Sequence, residues 1–522
     1  MAYRKLAANL AYAAKLSQVG FGSPPKLSTA KTILDTVLPS PTLVSNVIRD
    51  HYTKGPPAKS WSLEFHVAIA FIRDLIDRSR FHTVEHMQWL TSQLHVPLPP
   101  FTTSKDFTVP SSYRMKAGSV IESAIDKNDY PAIGWDWIGD KRTAPPLSGE
   151  WLAGEDEPGE KRNESVVLYV HGGAGYMGST MTHRLLTSSI AKASSLSIFQ
   201  IATGGRVCAI NQRLAPQHPF PAPLEDALAT YLQLIDKGNS EGVDPKNLII
   251  AGESHGGGMV MALLLLLRDC NLPMPAGAIG LSPWVDLTHS LPSILSNIST
   301  DYLPASGFSH KHSRALEFNN LPQFEPEALG PLGKAVRLPM SHEDLDRVQF
   351  YAPNSTLKMR YVSPIFDERG LHGLPPLLIQ VGTAERLRDE SIYSAYKAAN
   401  QIPGSPSPQT TALPPTQVKL ELYVDQPHVF QMILATKQRA VAIRQIGEFV
   451  KSLTTGRENA GNQVKNPNHL QVCTVQPNGD ITDGMTDPPT KEVWDLWEKR
   501  LERPSLRERL EEVQHTLSNL RP

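Results

Sequence analysis

The sequence predicts an α/β fold: a mostly parallel central sheet with helices on both faces. Three observations carry this. Short β-branched or apolar runs alternate with helical patterns between about residues 116 and 455. Several of those runs are apolar throughout, as in Leu248-Ile249-Ile250-Ala251, which marks strands buried on both faces. That run leads into Gly252-Glu253-Ser254-His255-Gly256, and Gly257 to Leu267 then reads as a helix. A strand, a sharp turn carrying a serine and a helix make the geometry of a nucleophile elbow.

Three regions follow along the chain. Residues 1–115 read as a helical N-terminal cap, punctuated by Pro24-Pro25, Pro56-Pro57 and the Pro97 to Pro100 run. Its first part, Met1 to Leu34, holds Arg4, Lys5, Lys15, Lys26 and Lys31 but no acidic residue. Tyr3, Leu6, Leu10, Ala13 and Leu16 recur there at helical spacing. That pattern suits a helix docked on its own domain; a mitochondrial presequence or a membrane-surface helix would look alike. Residues 116–455 form the core. Its strands are predicted at Val166–Val170, Val207–Asn211, Leu248–Ala251, Ala278–Leu281, Leu377–Val381 and Leu420–Val424. Helices are expected at Leu224–Ile235, Ser391–Asn400 and Ala435–Lys451. Irregular insertions interrupt the alternation at about 293–358 and 402–416. Residues 456–522 read as a linker and a C-terminal amphipathic helix. Asn478-Gly479 between Val472–Val475 and Ile481 gives a weak hairpin signal. Ser505 and Glu508 form a capping box, and Leu506, Leu510, Val513, Leu517 and Leu520 keep helical spacing. That stripe suits packing on the body or pairing with a second copy as a homodimer.

Composition narrows the function classes. The chain has 522 residues, 40% of them apolar, enough for a substantial core. A net charge of −1 gives no global bias toward nucleic acid or anionic membrane. Cys208, Cys270 and Cys473 are far apart and odd in number, which argues against a disulfide scaffold or a cysteine-rich zinc site. A reducing interior is the default expectation, the cytoplasm first. No run of about 18 apolar residues occurs, so no spanning helix is expected. Neither a metal nor another cofactor is called for.

A serine hydroxyl needs a base, an acid to orient that base, and preorganised donors for the oxyanion. Val166–Val170 ends in His171-Gly172-Gly173-Ala174-Gly175, a glycine-dense loop that can turn N–H groups toward one point. Gly173 and Ala174, with Gly172 adjacent, are its candidate oxyanion donors, and the N–H of His255 would complete the set. His428 follows the last core strand and is the candidate base. The acid follows Leu377–Val381: Glu385 lies nearer the strand end, and Asp389 is held in reserve because it can start the next helix. Glu253 is expected to anchor the elbow.

These segments resemble the hormone-sensitive lipase family of α/β-hydrolases, in a fungal carboxylesterase or steryl-deacetylase form. The likeness rests on His171-Gly172-Gly173-Ala174, on Gln212-Arg213-Leu214-Ala215-Pro216 with Phe220-Pro221-Ala222, on Gly252 to Gly256, and on Leu387-Arg388-Asp389-Glu390 followed by His428. The resemblance implies an α/β-hydrolase fold and the order Ser254, Glu385, His428 for nucleophile, acid and base. It also implies an N-terminal lid and a structural role for the Arg-Leu-Ala-Pro stretch. The family usually has Asp at Glu253, Ala at His255, Tyr at Gln212 and Gly at Ala174. The expected activity is hydrolysis of short acyl or acetyl esters of lipophilic alcohols, sterol acetates among them, through an acyl-enzyme. Amide or lactone hydrolysis by the same triad, or a non-catalytic small-molecule receptor, are the alternatives. Peripheral contact with a lipid surface is a further expectation; nucleic acid is not a partner.

Overall fold

The computed structural model describes residues 41–94, 96–133, 137, 146–154, 165–193, 205–239, 241–311, 313, 349–403, 413–454, 469–502 and 506–519. The basic N-terminal stretch, Ser505, and most of the two insertions lie outside the described residues. Among the described residues, three helices precede the first strand: α1 (Pro41–Thr53), α2 (Leu63–Ser79) and α3 (Val84–Gln93). Ser62 caps α2 by accepting from the Phe65 N–H, and Thr83 caps α3 by accepting from that of His86.

Ten strands among the described residues form one sheet, in the order β1-β2-β4-β3-β5-β6-β7-β8-β9-β10. They are β1 (Thr102–Val109), β2 (Leu147–Gly154), β3 (Val166–Val170), β4 (Arg206–Asn211), β5 (Leu248–Glu253), β6 (Gly277–Leu281), β7 (Leu377–Gly382), β8 (Val418–Tyr423), β9 (Leu470–Val475) and β10 (Ile481–Asp483). Strands β3 to β9 run parallel; β1, β2 and β10 add antiparallel edges.

Side-chain alternation along each strand feeds two cores. On β3, Val167 and Tyr169 face a cluster with Leu186 and Ile190 of α5 (Thr180–Ala193) and Ile446 and Val450 of α9 (Lys437–Thr454). Val166, Leu168 and Val170 face the larger cluster. There they meet α4 (Ser111–Ala124), α6 (Ala222–Leu234), α7 (His255–Asp269) and α8 (Arg388–Ala398). Helix α7 is apolar around its whole circumference because it is buried throughout that layer.

Two of the sequence-derived boundaries need correction. Strand β1 and the start of α4 fall within the region expected to be purely a cap, yet β1 pairs with β2 along its full length. At the other end, β9 pairs in parallel with β8, and the Asn478-Gly479 turn returns the chain as β10. The stretch expected to be linker and helix thus completes the sheet. The reason is the edge of β8, whose unpaired N–H and C=O groups need a neighbour. Val475 of β9 also joins Tyr423, Phe430 and Val441 in a small core. Beyond it, α10 (Lys491–Glu502) lays Trp494 and Trp497 on Tyr393 and Tyr396 of α8, and α11 (Leu506–Asn519) ties back through Arg509 to the His289 carbonyl.

Ending the chain after Thr454 is therefore expected to cost at least about 3 kcal/mol, the scale of losing one large core side chain, and to promote aggregation. Ending it after Glu502 keeps the sheet and should change stability much less. Thermal melts and size-exclusion profiles of the two truncations check this; equal behaviour would contradict it.

Candidate active site

The site is assembled at the carboxyl end of the parallel strands. Ser254 sits between β5 and α7 with φ 54° and ψ −123°, a conformation that non-glycine residues rarely hold. It is pinned from both sides. Its N–H donates to the Leu281 carbonyl at 2.9 Å, and its carbonyl accepts from Gly258 and Trp284 at 3.0 and 2.9 Å. The turn closes because Gly256 lacks a side chain: a Cβ there would fall on the Val170 carbonyl oxygen.

His428 lies on the loop after β8 and is buried. Its Nε2 is 2.9 Å from Ser254 Oγ. Glu385, on the loop after β7, is fully buried. Its Oε1 is 3.7 Å from His428 Nδ1, longer than a hydrogen bond, and neither atom has another partner among the described residues. Its Oε2 accepts from the Ser282 hydroxyl at 2.7 Å and the Gly382 N–H at 2.9 Å. Burial pushes the Glu385 carboxyl above its ordinary value; His428 and Ser282 pull it down, and the nearby Asp301 adds to the rise. The two loops approach closely at Gly382, where a Cβ would fall on the Gln426 carbonyl. Asp389, the reserve acid, points elsewhere: it accepts from the Ser293 N–H at 2.9 Å and pairs with Arg388 at 2.8 Å.

The glycine-dense loop after β3 faces this serine with Gly173 at φ 89° and Ala174 at φ 53°. Among the described residues, the N–H groups of Gly173, Ala174 and His255 donate to no protein acceptor. Gly172 does not match its expected part, because its N–H donates to Glu253 Oε1. Glu253 also accepts from Tyr169 at 2.5 Å and from His183 Nε2 at 2.9 Å. Burial opposes charge on both partners, yet His183 and Tyr169 hold the Glu253 carboxyl below its ordinary value, and Glu253 holds the His183 imidazole above its own. Glu253 thus ties the oxyanion loop to the elbow. Gln212 supports the same loop by donating to the His171 carbonyl at 2.7 Å, and Arg213 forks onto Asp226 at 3.0 to 3.1 Å.

The His255 ring lies edge-on to Tyr351 with centroids 4.2 Å apart. Burial, with His171 adding, drops its pKa to about 3; burial, with His183 adding, drops that of His171 to about 4. The cap lies over this end of the sheet. Trp61 Nε1 donates to the Asp425 carbonyl at 2.5 Å, and Trp61, Phe65 and Ile69 pack with Tyr302. The Tyr302 ring lies 5.9 Å from that of His428. Arg73 donates to the Ser299 carbonyl at 3.0 Å and to that of Asp301. From α3, Gln88 donates to the Ala215 carbonyl at 3.0 Å. Trp89 is exposed on the cap surface. Ser282, His183 and Asp301 were not singled out in the sequence; a serine directly after a strand was the one available signal.

A family model for the α/β-hydrolase fold matches residues 167–307. The chain is 29% identical over 320 residues to an acetyl-hydrolase of Streptomyces hygroscopicus, covering 60% of this chain and 83% of that one. The chain has the α/β-hydrolase fold. It is also 28% identical over 309 residues to an esterase of Acinetobacter venetianus, covering 59% and 82%. No helix among the described residues is long and apolar enough to cross a membrane.

The buried imidazoles give this hydrolase an acid-side weakness. Folded, His171 and His255 stay neutral; unfolded, they take up protons below about pH 6.5. The unfolded chain then binds more protons, so stability falls as pH drops from about 6.5 toward about 4, by up to about 1.4 kcal/mol per pH unit for each ring. Chemical denaturation at pH 7, 6 and 5 should show a shallower slope for His255→Ala than for the unsubstituted protein. Identical slopes would contradict it.

Proposed function

We propose that this hydrolase cleaves short acyl esters of lipophilic alcohols through an acyl-enzyme, with Ser254 as nucleophile, His428 as base and Glu385 as the acid that orients it. The 2.9 Å contact between Ser254 Oγ and His428 Nε2, at a strained elbow facing unpartnered N–H groups, carries this reading. His428 takes the serine proton as Oγ attacks the ester carbonyl carbon. The oxyanion is held by the N–H groups of Gly173, Ala174 and His255. Collapse expels the alcohol, protonated by His428; water then attacks the acyl-enzyme by the same route in reverse. Glu385 steadies the imidazolium, and the 3.7 Å gap to Nδ1 closes as that charge forms.

The acyl preference rests on two supports. A relative bears the name acetyl-hydrolase. His255 stands where the family usually has alanine, and its ring fills space against Tyr351 and Trp284. The alcohol side faces the cap, where Trp61, Phe65 and Tyr302 offer an apolar border. A sterol is one alcohol of that character.

Ser254→Ala should lower kcat on p-nitrophenyl acetate by on the order of 10³-fold or more. Activity that survives this change would sink the mechanism. Glu385→Ala should cost more than Asp389→Ala, compared at equal folded fraction. Across p-nitrophenyl esters from acetate to decanoate, kcat/KM is expected to peak at the short end, and cholesteryl acetate to be cleaved. A peak at decanoate would overturn the acyl assignment.

A further inference from the structure

The triad reading leaves one side chain at its centre without a role. Ser282 is the first residue after β6, fully buried, with φ 47°. Its N–H donates to the Gln380 carbonyl of β7 at 2.7 Å. Its hydroxyl donates to Glu385 Oε2 at 2.7 Å and accepts from the Val429 N–H at 3.1 Å. One hydroxyl therefore bridges the acid loop and the histidine loop, which are brought together from two different strands.

Two geometric facts give the bridge its meaning. Ser282 and the Gly382 N–H both bind Oε2, so Glu385 has only Oε1 left, and that oxygen faces His428 Nδ1. Val429, directly after the histidine, is held at φ 44° and ψ 45°. A β-branched residue in the left-handed region is a genuine outlier that persists only where its surroundings over-determine it. The bond from its own N–H to Ser282 is one such determinant. It acts one residue from the imidazole.

We propose that Ser282 is a positioning residue: it selects the Glu385 oxygen that faces the imidazole and holds the strained turn that carries His428. It acts through these two groups and touches no substrate. The hydroxyl's donation also lowers the proton affinity of Glu385, in the direction that keeps it a carboxylate.

The inference rests on the triad reading, and the experiment separates the two. Ser282→Ala is made alone and together with Glu385→Ala, and kcat and KM on p-nitrophenyl acetate are measured beside the thermal unfolding of each variant. Ser282→Gly, which suits a positive φ and also removes the hydroxyl, carries the same test if the alanine variant folds poorly. The single substitution should lower kcat by about 10²-fold, the cost of small misplacement of a reacting group, with KM within about twofold. In the Glu385→Ala background the same change should cost far less, because residues that act through one another are not additive. An unchanged kcat in the single variant would overturn the proposal. So would an equal loss in both backgrounds, which marks a general effect on the fold. If Glu385→Ala alone keeps full activity, the triad reading fails, whatever Ser282 does.

Discussion

The site depends on how closely the main chain can pass itself at the carboxyl end of the sheet. At Gly256 the first turn of α7 lies against the Val170 carbonyl, and at Gly382 the end of β7 lies against the Gln426 carbonyl. Neither approach leaves room for a Cβ. The first brings the oxyanion loop alongside Ser254. The second brings Glu385 alongside the histidine loop. The conformations that result at Ser254, Ser282 and Val429 each cost on the order of 1–3 kcal/mol. Helices buried on both faces of a ten-stranded sheet offset that cost, which is why the strain can concentrate at one edge.

Charge is managed at the same edge by enclosure. Glu253 gathers the Gly172 N–H, the Tyr169 hydroxyl and His183 around one carboxylate. A buried carboxylate left without such partners would be protonated or would destabilise the fold by several kcal/mol. Because Gly172 is occupied in this way, the loop presents its next two N–H groups, those of Gly173 and Ala174, outward. The fold of the loop after β3, and which of its N–H groups stay unbonded, thus follow from a single acidic residue beside Ser254.

The six strands β3 to β8 were legible to within a few residues, because burial writes β3, β5 and β6 as largely continuous apolar runs and keeps apolar residues in the majority along β4, β7 and β8. The edges were not. In β1, Thr102-Thr103-Ser104-Lys105-Asp106 is mostly exposed and reads as polar coil, and β2 carries Glu150, which only its pairing with Arg184 makes acceptable inside. Ser254, Glu385 and His428 could be picked out because each follows a recognisable strand in a fixed chain order. The structure brings these three together, and it turns Asp389 toward Ser293. Ser282 and Asp301 could not be read in advance. Their partners lie about a hundred residues away in the chain, and no local pattern records a contact of that range.

The cap is joined to the rest at an unusual point. Trp61 bonds the Asp425 carbonyl, three residues before His428, and Arg73 bonds the segment whose Asp301 carboxylate faces the His428 N–H at 3.4 Å. The cap is therefore tied to the loop that carries His428. Trp61 and Arg73 of the cap and that loop thus share one hydrogen-bonded frame, and strain at either end of it is felt at the other.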